Sequence, residues 1–266
     1  MKGLLRCAAF CAIGVAVGSA SPAFAKSPLN ISIGFTGTDR ARINLVDGTL
    51  SDKRPGWFVE LAVRVGRECG HSVSFHQKPW KRILNEVAAG RLWAATNSSY
   101  KVERTAFGEF PTVDGQPDKS RAFSKYEYIA IVRKGENTEI VRKGIVSGRK
   151  YIVERGASII SVLKKGGANI HEMSDYDKML RLLTKGRADA MAVIACALDD
   201  SLERFPDFRD KIERSQVPLL ERVGYIMFSK QLYQKHSALI ECFWTESARL
   251  MQSTWFQDVK RSYADK

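Results

Sequence analysis

Residues 79–104, PWKRILNEVAAGRLWAATNSSYKVER, are the stretch whose reading decides the fold. Trp80, Ile83, Leu84, Val87 and Ala88 recur at the spacing of a helix with one buried face. Gly90 stands where a helix C-terminus is expected. Residues 92–95 form a short apolar run that predicts a buried strand. Asn97, Ser98 and Ser99 lead out of it into a basic segment carrying Lys101 and Arg104. A strand that ends in small polar residues and a cation is where α/β folds place ligand groups. An ordinary loop with a surface arginine fits this stretch equally well when it is taken alone.

A second copy of the pattern lies further along the chain. Tyr176, Met179, Leu180 and Leu183 repeat the apolar spacing of Trp80, Ile83, Leu84 and Val87. Gly186-Arg187 then matches Gly90-Arg91, and residues 189–193 are another strand-like run. Each copy is preceded by a candidate strand, residues 73–75 in one and 169–171 in the other. A duplicated helix–Gly-Arg–strand unit predicts two similar α/β lobes, although two unrelated βαβ units converge on the same pattern.

The rest of the chain fits around these units. Residues 30–35 alternate as a first strand, and a polar stretch to Arg54 is expected to be a long loop or hairpin. Phe58, Leu61, Ala62 and Val65 predict a helix that Pro55 opens and Gly70 stops. Residues 126–132, 150–153 and 222–229 are further strand candidates, and residues 134–148 a charged surface excursion. A helical tail carries Leu239, Ile240, Phe243, Trp244 and Leu250. Such a tail can return to the first lobe, which makes that lobe discontinuous.

Lys2 and Arg6 precede an apolar run that ends in Ala23-Phe24-Ala25, an A-x-A cleavage signal. Residues 1–25 therefore read as a secretory leader, and the protein as a soluble periplasmic one. No cysteine follows the small residues, which argues against a lipoprotein. The chain of 266 residues has a net charge of +13, of which the leader carries only Lys2 and Arg6. That field favours anionic ligands or surfaces. Lysines and arginines are spread along the chain without a dense block or a nucleic-acid-binding motif, so nucleic acid is not an expected partner. Cys69, Cys196 and Cys242 remain after the leader, an odd number that allows at most one intramolecular disulfide. Each has an apolar or helical context, the setting of a buried thiol.

Taken together, the segments resemble a known family: the family 3 periplasmic solute-binding proteins of ABC importers, the amino-acid-binding type II group. Residues 55–61 (PGWFVEL) are similar to the family's G-F/Y-x-x-D/E-L helix start. Residues 79–82 followed by Gly90-Arg91 are similar to PW-x-R…G-K/R, and residues 99–104 (SYKVER) to S/T-x-T-P-E-R. Residues 107–111 match the F-x-x-P that follows, residues 153–158 (VERGAS) resemble V-x-x-G-T-T, and residues 186–190 (GRADA) resemble GRVDA.

The resemblance implies an α/β, two-lobed type II periplasmic-binding fold. Each lobe would be a mixed sheet flanked by helices, with a two-stranded hinge between them. Residues 26–126 plus 224–266 would make lobe one, and residues 127–223 lobe two. It implies a monomer that closes on a small ligand for an inner-membrane ABC permease or a sensor. The ligand's carboxylate would fall to Arg104, whose guanidinium offers a bidentate fork. Asn97, Ser98 and Ser99 would assist, with Gly156, Ala157 and Ser158 facing them as a turn whose N–H groups meet an anion.

The departures matter as much. The family's T-P is Lys101-Val102 here, which adds a second cation. Trp93 stands where the family carries an Asp just before the lobe-one strand. The acidic residue that receives an α-ammonium group falls at about Ile194, among apolar Val193, Ala195 and Cys196. One wall is thus expected to be polar and cationic and the other apolar, with Trp57, Trp80 and Tyr225 as aromatic candidates. The ligand expected from this is anionic, and not a standard α-amino acid, because a buried unpaired ammonium is costly.

No metal-ligand spacing joins His71, His76, His171 and His236, and no GxSxG, HExxH or P-loop is present. Neither a cofactor nor a catalytic residue is expected. Asp199-Asp200 is expected at an exposed helix terminus. Two alternatives to solute binding stay open: a periplasmic dehydratase-like enzyme, which would need a carboxylate or other base in the cleft, and an envelope interaction protein that has lost its ligand.

Overall fold

The computed structural model describes residues 27–36, 42–46 and 49–264; the leader predicted over residues 1–25 lies outside them. Numbering the longer strands in chain order, the first lobe holds β1 (Asn30–Phe35), β2 (Ser72–Gln77) and β3 (Ala94–Ser99). The second holds β5 (Lys150–Glu154), β6 (Asn169–Met173), β7 (Ala190–Ile194) and the short β8 (Ile212–Arg214). Two strands of ten residues, β4 (Ser124–Arg133) and β9 (Leu220–Ser229), run between the lobes.

The path through the sheet is β6-β5-β7-β4-β9-β3-β1-β2, so each lobe contributes three parallel strands and the long pair lies in the middle. The register shows how that pair serves both lobes. Residues 124–128 of β4 face residues 220–224 of β9 in antiparallel pairing. Beyond that shared segment, β4 pairs with β7 through Ile194↔Tyr128 to Met191↔Ile131, whereas β9 pairs with β3 through Gly224↔Ser99 to Phe228↔Ala94. Two strands that each change partner halfway along form a two-stranded hinge.

Alternating side chains build a core on both faces of each lobe. Along β9, Ile226 and Phe228 join Ile31, Ile33, Phe58 and Trp244 on one face, while Tyr225 and Met227 join Ile83, Val87 and Phe110 on the other. Along β4, Tyr128, Ala130 and Val132 belong to one lobe-two core, and Ile129 and Ile131 to its opposite. Helix α1 (Trp57–Glu68) and the tail helices α7 (Lys230–Met251) and α8 (Thr254–Ala264) cover lobe one. A disulfide between Cys69 and Cys242 fastens the end of α1 to α7. The sequence allowed one bridge, and the buried-thiol reading of these two cysteines is replaced by it.

Both repeated units are present. Helix α2 (Trp80–Ala88) buries Trp80, Ile83, Leu84 and Val87, and α5 (Tyr176–Thr184) buries Met179, Leu180 and Leu183. Gly90 and Gly186 follow at φ 68° and 72°, the left-handed turn that glycine makes at least cost. Two expectations are revised. The strand after α2 is not residues 92–95 but Ala94–Ser99, so Asn97, Ser98 and Ser99 lie within it. The excursion at 134–148 contains α3 (Thr138–Lys143), which buries Ile140 and Val141 against β4, and α4 (Ile160–Lys165) follows β5 and buries Leu163. Among the described residues, no helix is long and apolar enough to cross a membrane.

Candidate functional site

The lobes enclose a cavity of about 420 Å³ beside the hinge. That volume suits a small solute. Arg104 lies on its lobe-one side, in the short 3-10 turn Val102–Arg104 after β3. It is buried, and its Nη1 donates to the Ser99 carbonyl at 2.9 Å and to Ser99 Oγ at 3.0 Å. Its Nη2 crosses the cleft to the carbonyl of Gly156 at 3.2 Å. Among the described residues Nε–H and the second Nη2–H make no bond, which leaves a two-pronged donor face. Burial holds the guanidinium below its usual pKa, so an anion that shared the site would stabilise its charge.

Trp80, the first residue of α2, stacks its ring 5.3 Å from the Arg104 guanidinium and donates Nε1–H to the same Gly156 carbonyl at 3.2 Å. Two lobe-one donors therefore converge on one lobe-two acceptor. A third contact joins Thr36, just past β1, to lobe two: its Oγ1 donates to Glu154 Oε1 at 3.2 Å.

Asn97 lines the cavity in a left-handed conformation (φ 53°) within β3. Its side-chain oxygen accepts from Ser124 Oγ on β4. A Cβ at residue 224 would lie 2.2 Å from that oxygen, so Gly224 of β9 leaves the room it occupies. One polar side chain of the cleft thus touches both hinge strands.

The remaining sequence candidates divide. Ser158 lines the cavity and donates to the Tyr128 hydroxyl at 3.4 Å. Ser99 acts through Arg104, and Ser98 is fully buried behind the strand. Lys101 does not line the cavity and pairs with Glu103 at 3.9 Å. Trp57 packs against Phe123 and Phe256 in the lobe-one core, and Tyr225 against Phe110 beneath α2. Ala157 belongs to the lobe-two core.

The expected anion-binding turn is not built. The Gly156 N–H goes to Glu172 Oε2 at 3.3 Å and the Ala157 N–H to the Glu154 carbonyl at 3.0 Å. Gly156, at φ 79°, instead offers its carbonyl to the cleft, an acceptor where donors were expected.

The lobe-two wall is not apolar either. Ile194 lines the cavity as placed, but so do Glu154 at the end of β5, Asp177 on α5, and Asp200 and Arg204 on α6 (Ala195–Arg204). Arg204 Nη1 binds Asp177 Oδ2 at 3.1 Å. Asp200 is buried and lines the cavity; Asp199 points outward to Arg214. Because α6 starts directly after β7, Asp200 lies in the helix interior and not at the exposed terminus expected. Tyr126, Tyr128 and Tyr176 complete this wall, all kept above the usual tyrosine range by burial. The Glu154 carboxyl is pushed up to about 7, also by burial, with Thr36 and Arg104 pulling the other way. Its one sequence signal was its place two residues before Gly156 in the lobe-two motif. No group of histidine, cysteine and acidic residues suited to a metal ion occurs among the described residues.

No family model and no curated protein matches the sequence. Solved structures match it in shape. A mutant of ArgBP from T. maritima superposes with TM-score 0.68 at 15% identity, over 89% of this chain and 96% of that one. The substrate binding protein of an amino acid ABC transporter gives TM-score 0.68 at 13% identity, over 89% and 100%. The GluR0 ligand-binding core from Nostoc punctiforme, in complex with (L)-glutamate, gives 0.65 at 13%, over 89% and 100%. At such identities the likeness is one of fold, and the chain has the two-lobed type II periplasmic-binding architecture.

Proposed function

We propose that the protein is a divergent member of the family 3 solute-binding proteins and works without catalysis. It takes up a small carboxylate-bearing solute between its lobes in the periplasm and, as a monomer, presents it to an inner-membrane ABC permease or a sensor. The observation that carries this reading is the buried Arg104 with two unused N–H groups facing an interlobe cavity of about 420 Å³. A guanidinium edge of that kind matches a carboxylate. The hinge supports it, since two strands allow the lobes to part and close around a ligand. The Cys69–Cys242 disulfide suits an oxidising compartment. The matching structures are described as binding proteins or ligand-binding cores, which fits the same role.

The test is thermal denaturation with a panel of small carboxylic acids. A binder raises the melting temperature as its concentration passes Kd; no rise with any member would favour an interaction protein that has lost its ligand. One observation favours a second reading. Glu154, titrating at about 7 inside the cleft, is poised for general acid–base work, the group a dehydratase-like enzyme needs. Product formation from prephenate or arogenate would establish that reading in place of the first.

A further inference from the structure

Glu154 is only 6% exposed, yet it faces the cavity. Among the described residues, its single hydrogen bond comes from the Thr36 hydroxyl, and no lysine, arginine or histidine pairs with it. Arg104 acts on it only at longer range. The lining groups that feel its charge most are the hydroxyl-bearing rings of Tyr128 and Tyr176. A buried carboxylate with no counter-ion is costly and either keeps its proton or acquires a cation. Among the described residues none of the basic side chains lining the cavity, Arg42, Lys78, Arg104 and Arg204, pairs directly with Glu154, which leaves that place to a cation on the solute.

Building on the solute-binding reading, we infer that Glu154 is a ligand-binding residue that receives a protonated nitrogen on the solute, at the end away from the carboxylate held by Arg104. The bound molecule then brings one charge of each sign to two buried groups of opposite sign, and the closed cleft holds no net charge from the four. The ionisable groups that share the cavity with Glu154 are Arg42, Lys78 and Arg104 from lobe one, Tyr126 and Tyr128 from β4, and Asp175, Tyr176, Asp177, Cys196, Asp200 and Arg204 from α5, its cap and α6, with Asp177 bonded to Arg204. Burial keeps Tyr176 and Tyr128 protonated through neutral pH.

The experiment is calorimetric titration of the purified protein and of Glu154→Gln with matched acids, such as 4-aminobutyrate against 4-hydroxybutyrate and 5-aminopentanoate against 5-hydroxypentanoate. Wild type is expected to bind the member with the protonated nitrogen at least tenfold more tightly. Glu154→Gln is expected to lose at least tenfold for that member and little for its neutral partner. Since Glu154 must give up a proton to receive the cation, wild-type affinity should rise with pH up to about 7 and then level. In Glu154→Gln that slope should vanish. If Glu154→Gln fails to fold, proton release by wild type, read from binding heats in two buffers at pH 6.5, decides the question. Preference for the nitrogen-free acids, or an unaltered affinity in Glu154→Gln, overturns the role of Glu154 and leaves solute binding standing. Binding of neither set overturns both.

Discussion

Replacing Arg104 by alanine separates binding from folding. Its Nη1 makes two bonds to Ser99, and one Nη2 hydrogen reaches the Gly156 carbonyl. The unused Nε–H and second Nη2–H are the donors that the proposed carboxylate would meet. Two charge-assisted bonds are worth about 1.5–3 kcal/mol each, or about 3–6 kcal/mol together. The expected loss is therefore roughly 10²–10⁴-fold in Kd. Stability should change far less. Burial already disfavours the charged guanidinium, and Gly156 keeps its bond from Trp80, so a shift within about 2 kcal/mol is expected. Arg104→Lys keeps the charge without the fork and should recover only part of the affinity. Isothermal titration and calorimetric melting of the three proteins give both numbers. An Arg104→Ala protein that binds the wild-type ligand within about threefold would refute the assignment of the carboxylate to this side chain.

Trp80→Phe deletes the indole N–H that crosses to Gly156, worth about 1 kcal/mol. It should lower the ligand-free closed-to-open ratio about fivefold, read as a larger radius of gyration in small-angle scattering; unchanged scattering would show that this bond does not hold the lobes. The Cys69–Cys242 bridge spans a sequence separation of 173, for which chain entropy predicts about 5 kcal/mol, and bridges usually deliver about 2–4. Cys69→Ser with Cys242→Ser should melt roughly 5–15 °C lower, and equal melting of both proteins would remove the bridge from the account. Glu154 gives a pH signature. Its folded pKa, about 7, lies above the ordinary glutamate value of 4.5. The unfolded chain therefore loses this proton first, and stability falls as pH rises from about 4.5 to about 7. The loss approaches roughly 3 kcal/mol and is constant above that range. The wild-type minus Glu154→Gln difference in melting temperature should follow this curve, and a flat difference would place the carboxyl in an ordinary solvated state.

The fold was legible in the sequence because its signals are local. Gly90 and Gly186 mark the ends of two helices whose apolar spacing is complete, and the alternating strands needed no long-range information. The site was legible only where it lies on such a signal. Arg104, Asn97, Trp80 and Ser158 border the cavity, all on or beside the repeated units and the lobe-two motif. Trp57 and Tyr225 carry no mark that separates a cleft aromatic from a core one, and packing put both in the core. The lobe-two wall was misread because its polar groups come from separate strands and helices. Asp200 enters the cavity only because α6 follows β7 without a loop. Glu154 is buried at the end of β5, where its hydrogen bond comes from Thr36 of the other lobe. Gly156 could be foreseen as a turn, but the turn's direction depends on which partners take its neighbouring N–H groups, and Glu172 is supplied by another strand.

Native mass spectrometry of the purified protein, sprayed from volatile buffer with any co-purified molecule retained, tests the central claim most directly. The account predicts a one-to-one complex with a small carboxylic acid, lost in Arg104→Ala. A wild-type protein that carries no small molecule, and gains none when incubated with a pool of small carboxylic acids, would contradict it.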